Sequence, residues 1–171
     1  MARTLIIAEI GVNHCGRLDV ALQLIAAAKA AGADIAKFQA FTPWRLAPQN
    51  YERQAMLKGL ALTENELRMC AAECEKLGIE FTVTPMDQEW VDFCVDVLRV
   101  KRIKIGSGQA MNPLFVQHVA TKKLPVLISN GMALPDEFAQ AANEWLYNVD
   151  DITVMSCISR YPTHDTEVNM A

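Results

Sequence analysis

No apolar run in this chain of 171 residues approaches the roughly 20 residues that a membrane-spanning helix needs. The first apolar stretch, Leu5-Ile6-Ile7-Ala8, is cut off by Glu9 and is too short for a signal-peptide core. There is no run of Lys and Arg and no basic helix face, and the net charge is −4, so a nucleic-acid partner is not expected. These absences predict a cytoplasmic protein with neither membrane nor nucleic acid as partner. Neither G-x-G-x-x-G nor G-x-x-x-x-G-K-[ST] occurs, which removes the usual phosphate loop of a doubly wound sheet. The five cysteines (Cys15, Cys70, Cys74, Cys94 and Cys157) are odd in number and scattered, and they read as reduced thiols. Cys70 and Cys74 fall four apart on one helix face. With no His or further Cys pair to complete a zinc set, they read as small core residues. What the chain does have is 51% hydrophobic and 21% charged residues, enough for one domain with a sizeable core and too apolar for intrinsic disorder.

The punctuation is regular. β-rich runs at 5–10, 34–39, 80–83, 102–105, 125–128 and 152–155 alternate with helical patterns at 18–31, from Thr63 to Gly78, 88–98, from Pro113, and at 134–146. Gly32 and Gly78 stop two of the helices, and Thr63-x-x-Glu66 reads as a capping box. The stretch holding Pro43, Pro48 and Tyr51 is expected to be a long loop. Strand–helix alternation implies parallel strands with helical crossovers. Polar residues follow strand after strand: Glu9, Lys37 with Gln39, Thr84 with Asp87, Lys104 with Ser107, Ser129, and Ser159 with Tyr161. Chemistry at every strand's C-terminal end is the habit of a (β/α) TIM barrel, so the expected fold is α/β, a partial barrel with about six of the eight βα units.

Lys37 and Lys104 interrupt apolar strands, Ile35-Ala36-Lys37-Phe38-Gln39 and Ile103-Lys104-Ile105. In a helix-covered parallel sheet a lysine has little access to solvent, and a buried one needs an ion-pair partner or a ligand. Two together can hold a phosphate or a carboxylate. Ser107 and Ser129 sit in small-residue loops where exposed N–H groups bind anion oxygens or merely close a turn. Glu9 is either an acid/base group or the partner of Lys37, and His14 either meets substrate or caps its turn.

Six motifs in order then resemble one family. Ala8-Glu9-Ile10-Gly11-Val12-Asn13-His14-x-Gly16, Ala36-Lys37-Phe38-Gln39, Thr84-Pro85-Met86-Asp87, Lys104-Ile105-Gly106-Ser107-Gly108, 125–132 and 156–163 are similar to the sialic acid synthases (N-acetylneuraminate synthases) and their legionaminic and pseudaminic acid relatives. The resemblance implies a transferase of surface-carbohydrate biosynthesis that condenses phosphoenolpyruvate with N-acetylmannosamine or a related acylated amino sugar and releases phosphate. It places Lys37, Thr84, Lys104, Ser107, Ser129 and Ser159 on phosphoenolpyruvate, and Glu9, Gln39 and Tyr161 on the amino sugar. Glu9, Lys37, Lys104 and Gln109 are the residues expected to carry the catalysis.

Two departures accompany it. Where the family has Glu after the Lys-Ile-x-Ser-Gly motif this chain has Gln109, and an amide cannot move a proton. The resemblance also implies a divalent metal, manganese or magnesium, in the complete enzyme, held by histidines after strands seven and eight. Residues 1–171 are expected to be the N-terminal portion of such a barrel, without those units, the metal ligands or the C-terminal antifreeze-like domain; His118 and His164 match neither ligand position. The complete form is expected to be a homodimer and the isolated chain inactive. The alternative is a non-catalytic partial barrel that binds a phosphorylated ligand or pairs with another chain.

Overall fold

The computed structural model describes residues 3–48, 50–160 and 162–168. The chain divides into two compact units, residues 1–101 and 102–171.

The first unit contains β1 (Ile7–Gly11), α1 (Leu18–Ala30), β2 (Ile35–Ala40), α2 (Pro43–Leu46), α3 (Tyr51–Leu60), α4 (Glu64–Leu77), β3 (Glu80–Pro85) and α5 (Gln88–Asp92). β1, β2 and β3 are parallel, with Ile35 opposite both Ile7 and Glu80. β2 lies between two strands and under helices, so five of its six residues are buried. This is why it reads as a continuous apolar run broken only by Lys37 and Gln39. α4 opens with the expected capping box: Glu66 N–H donates to Thr63 Oγ1, and Thr63 N–H donates to Glu66 Oε2 at 2.8 Å. Lys29 at the end of α1 donates to the Gly78 carbonyl at 2.9 Å, tying α1 to the end of α4. Phe38, Ile25, Leu67, Val83 and Val91 form the core of this unit.

Two segments differ from expectation. The stretch after β2 is not a loop but the pair α2 and α3. Pro43 stands in the first turn of α2, and Asn50 caps α3 by accepting from Arg53 N–H at 2.8 Å. Leu57 is the one buried side chain of α3, so the helix leaves almost no apolar periodicity to read. Leu57 joins Phe41 and Ala47 in a small cluster reaching Val12, Leu60 and Met86. The predicted helix over 88–98 is α-helical only in α5 and then widens into a π-helical turn at Phe93–Val97, where Leu98 N–H reaches the Phe93 carbonyl. The wider turn buries Phe93 and Cys94 together.

The second unit contains β4 (Ile103–Ile105), α6 (Ser107–Ala110), α7 (Pro113–Thr121), β5 (Val126–Ser129), α8 (Pro135–Trp145) and β6 (Ile152–Met155). β4, β5 and β6 are parallel. Pro113 and Pro135 both open helices, and Asn112 caps α7 by accepting from Phe115 N–H. β4 and β5 are buried throughout, whereas β6 leaves Ile152 and Val154 exposed.

Candidate functional site

Alternation along β2 puts Lys37 and Gln39 on one face and Phe38 on the other. Lys37 stands opposite Glu9 in β1 and Thr82 in β3, and Gln39 opposite Thr84. The Lys37 ammonium is buried and ion-pairs with Glu9 Oε2, and it donates to Thr84 Oγ1 at 3.2 Å. The register slips between Glu9 and Gly11, and Gly11 takes a positive φ of 55°. A Cβ there would stand 3.0 Å from Glu9 Oε1 and 3.5 Å from Gln39 Nε2. Glycine thus lets a carboxylate and an amide gather over the end of β1. Glu9, Lys37, Gln39 and Thr84 form one cluster at the C-terminal ends of three adjacent strands.

The second unit repeats the arrangement with different groups. Lys104 is buried, and its ammonium donates to Ser129 Oγ and to the Ile105 carbonyl, both at 2.7 Å. Ser107, expected in a loop, instead opens the single helical turn α6, which follows Gly106 and also holds Gln109, whose Oε1 accepts from Asn112 Nδ2 at 3.2 Å. A Cβ on Gly131 would stand 2.5 Å from Cys157 Sγ and 2.9 Å from both Cys157 O and Ser159 Oγ. The loops after β5 and β6 are therefore in tight contact, with Ser159 beside the loop that follows Ser129. Asn130, which sequence reasoning passed over, fastens them: its side-chain carbonyl accepts from Cys157 N–H at 3.3 Å. The signal was its position directly after Ser129. Tyr161 lies outside the described residues.

Other candidates have structural employment. His14 is fully buried, and Nδ1 accepts from Gly16 N–H at 3.1 Å, so it caps its turn. Burial lowers its pKa, with the Gly11 backbone and Glu66 opposing. Asp87 caps α5, accepting from Trp90 N–H at 3.1 Å, with Arg45 Nη1 3.5 Å from its other oxygen. Cys70 and Cys74 are core residues, and burial pushes both thiols up to about 12. His164 sits at the start of the 3₁₀ turn 165–167, its N–H donating to Glu167 Oε2. Among the described residues no three of His, Cys, Asp and Glu gather as a metal site would require, so these residues do not supply a donor set for the implied metal. A cavity of about 530 Å³ opens in the first unit at the start of β3, beside Ala71, Ile79 and Val97. It contains none of the residues above.

Each unit thus buries one lysine against a hydroxyl where a strand ends. Lysines placed this way supply fixed positive charge in a low dielectric, an arrangement suited to a multiply charged anion.

Comparison with known proteins bears on family and fold. N,N'-diacetyllegionaminic acid synthase of Legionella pneumophila is 38% identical, over 96% of this chain and 51% of its own length. Human N-acetylneuraminate-9-phosphate synthase is 33% identical, over 96% of this chain and 49% of its own. The chain therefore spans about half the length of the curated relatives it matches. Among solved structures, the N-acetylneuraminic acid (sialic acid) synthetase of Leptospira borgpetersenii, determined in complex with citrate, matches with a TM-score of 0.93 at 28% identity, covering 98% of this chain and 59% of its own. The fold is accordingly that of the TIM-barrel domain of a sialic acid synthase, with six βα strands. The NeuB family model matches residues 24–171. A run of motifs, a barrel fold and a family match over most of the sequence agree, and the chain belongs to the NeuB family.

Proposed function

We propose that the protein to which these residues belong condenses phosphoenolpyruvate with N-acetylmannosamine or a related acylated amino sugar, making a nonulosonic acid and releasing phosphate. The observation that carries this reading is the pair of buried lysines, each held to a hydroxyl at a strand end. In the reading, Lys37, Thr84, Lys104, Ser107, Ser129 and Ser159 bind phosphoenolpyruvate, and Glu9, Gln39 and Tyr161 meet the amino sugar. C3 of phosphoenolpyruvate attacks the open-chain aldehyde. Water adds to C2, and the bond from C2 to the phosphate oxygen breaks, leaving a 2-keto acid and inorganic phosphate. The protein supplies charge where the anion sits and orients the aldehyde. The Leptospira sialic acid synthetase was determined in complex with citrate, itself a polyanion.

One observation favours a second reading. Gln109 is an amide held by Asn112, and it cannot shuttle a proton. A chain that binds the anion without turning it over is consistent with that. Phosphate release from phosphoenolpyruvate with N-acetylmannosamine and manganese separates the two, measured on the protein in its complete form. Sugar-dependent release supports condensation. Binding of phosphoenolpyruvate with no release under any acylated amino sugar supports the binder, and no binding at all removes both.

A further inference from the structure

His14 belongs to the opening motif, and its side chain bonds to its own turn and stacks on Phe38. It is fully buried. Its ring stacks on Phe38, with centroids 6.0 Å apart and planes inclined by 28°. Phe38 pairs in register with Gly11, and on either side of it along β2 stand Lys37 and Gln39. The imidazole therefore braces, from behind, the piece of strand whose front carries the lysine and the amide.

The same ring closes the turn that follows Glu9. Nδ1 accepts from Gly16 N–H, while the backbone steps through Asn13 N–H to the Ile10 carbonyl and Cys15 N–H to the Val12 carbonyl. Gly16 has a φ of 71°, and a Cβ there would collide with the Gly59 carbonyl of α3. The far end of the turn is thus seated on α3, and its near end is the Gly11 pivot under Glu9. An acceptor at Nδ1 requires a neutral ring with its proton on Nε2. Nε2 is buried without a well-formed hydrogen bond, and Glu66 on α4 is the charged group that acts on the ring. The ring is held by its bond at Nδ1, by its face on Phe38 and by the Gly11 backbone beside it.

We propose that His14 is a positioning residue: through Gly16 and Phe38 it fixes the turn after β1 and the adjoining stretch of β2, and so holds the Glu9 carboxylate, the Lys37 ammonium and the Gln39 amide in register for the ligand. The claim about a ligand rests on the anion-binding reading above.

The test uses the full chain with His14→Asn and His14→Gln. The asparagine amide oxygen reaches the place of Nδ1 and can accept from Gly16. The glutamine amide extends toward Nε2 and leaves Gly16 without its acceptor. Two quantities are read on variants shown to be folded by circular dichroism: phosphoenolpyruvate affinity by calorimetry, and the ¹³C carboxyl resonance of Glu9, assigned with Glu9→Gln. His14→Gln should weaken binding by about ten- to a hundredfold, the scale of a misplacement of about 1 Å, and should move the Glu9 resonance. His14→Asn, which keeps the Gly16 bond but loses the ring against Phe38, should fall between wild type and His14→Gln in both. A Gln variant with wild-type affinity and an unmoved resonance overturns the proposal, as does an Asn variant as impaired as the Gln variant. If His14→Gln does not fold, ¹⁵N spectra of the wild-type imidazole decide: protonated Nε2 with bare Nδ1 at neutral pH supports the proposal, and the opposite tautomer or a charged ring overturns it. A wild-type chain that binds no phosphoenolpyruvate refutes only the anion reading, and the Glu9 resonance still judges His14.

Discussion

The two units hold their buried lysines by different means. In the first, Lys37 meets a carboxylate and a hydroxyl, both on side chains of neighbouring strands. The same unit holds a turn closed by His14 and the helical pair α2 and α3, whose apolar cluster reaches Val12 and Met86. In the second, Lys104 meets a hydroxyl and a backbone carbonyl, and the adjoining loops are short enough that Gly131 lies against Cys157 and Ser159. The first arrangement offsets a buried charge with an opposite one and uses many residues to hold the pair in place. In the second, a backbone carbonyl of the lysine's own strand is among the groups on the ammonium, and the neighbouring loops are brought close. A buried ammonium tolerates either solution, since each replaces lost hydration with fixed dipoles or charge. The contrast predicts that the first unit is sensitive where elements meet and the second where a side chain would push neighbouring loops away from each other.

The largest expected effect is at Gly16. Alanine there meets the Gly59 carbonyl and must also adopt a positive φ, so Gly16→Ala should cost about 3 kcal/mol or more in a urea titration, from overpacking and left-handed strain together. Gly131→Ala comes next. Its φ is not positive and only the space is missing, so about 1–3 kcal/mol is expected by the same measurement. A Gly131→Ala loss as large as that of Gly16→Ala would erase the distinction between the units.

Strands sharpen the comparison further. Val83 in β3 is buried and Val154 in β6 is half exposed. Val83→Ala should lose about 2 kcal/mol, and Val154→Ala less than about 0.5 kcal/mol. Equal losses would mean that β6 is covered in solution by something that buries Val154.

The smallest effect is a pH dependence confined to the first unit. Burial lowers the pKa of His14 below its ordinary 6.5. The unfolded chain then takes up the proton more readily than the folded one, so the contribution of His14 is complete above pH 6.5 and is lost as pH falls from there through the lower folded value. His14→Asn should flatten this portion of the stability–pH curve, read from melting temperatures between about pH 7.5 and 5. An unchanged slope would show that other groups set it.

Much of this was legible in the sequence because local signals and tertiary demands coincide. β2 is buried on both faces, so a lysine within it stood out against Ile35, Ala36 and Phe38. Thr63 and Glu66 spelled the start of α4 by the same hydrogen bonds that hold it in the fold. α3 was hidden because it buries a single leucine and sits on the unit rather than within it. The employment of His14 was hidden because it depends on Phe38, in the next strand, and on the Gly16 backbone. A polar loop residue with a ring can serve a ligand or a turn, and spacing does not distinguish the two. The partners of Gly131 were equally out of reach, since the contact joins loops after different strands.

Calorimetric titration of phosphoenolpyruvate into wild type, Lys37→Ala and Lys104→Ala, with each variant's melting temperature recorded beside it, tests the central claim most directly. If both lysines serve the anion, each substitution weakens binding by about ten- to a hundredfold, the loss of one charge-assisted contact of about 1.5–3 kcal/mol, while the chain stays folded. Wild-type affinity in either folded variant would contradict the account and would leave that lysine as a structural ion in its own unit.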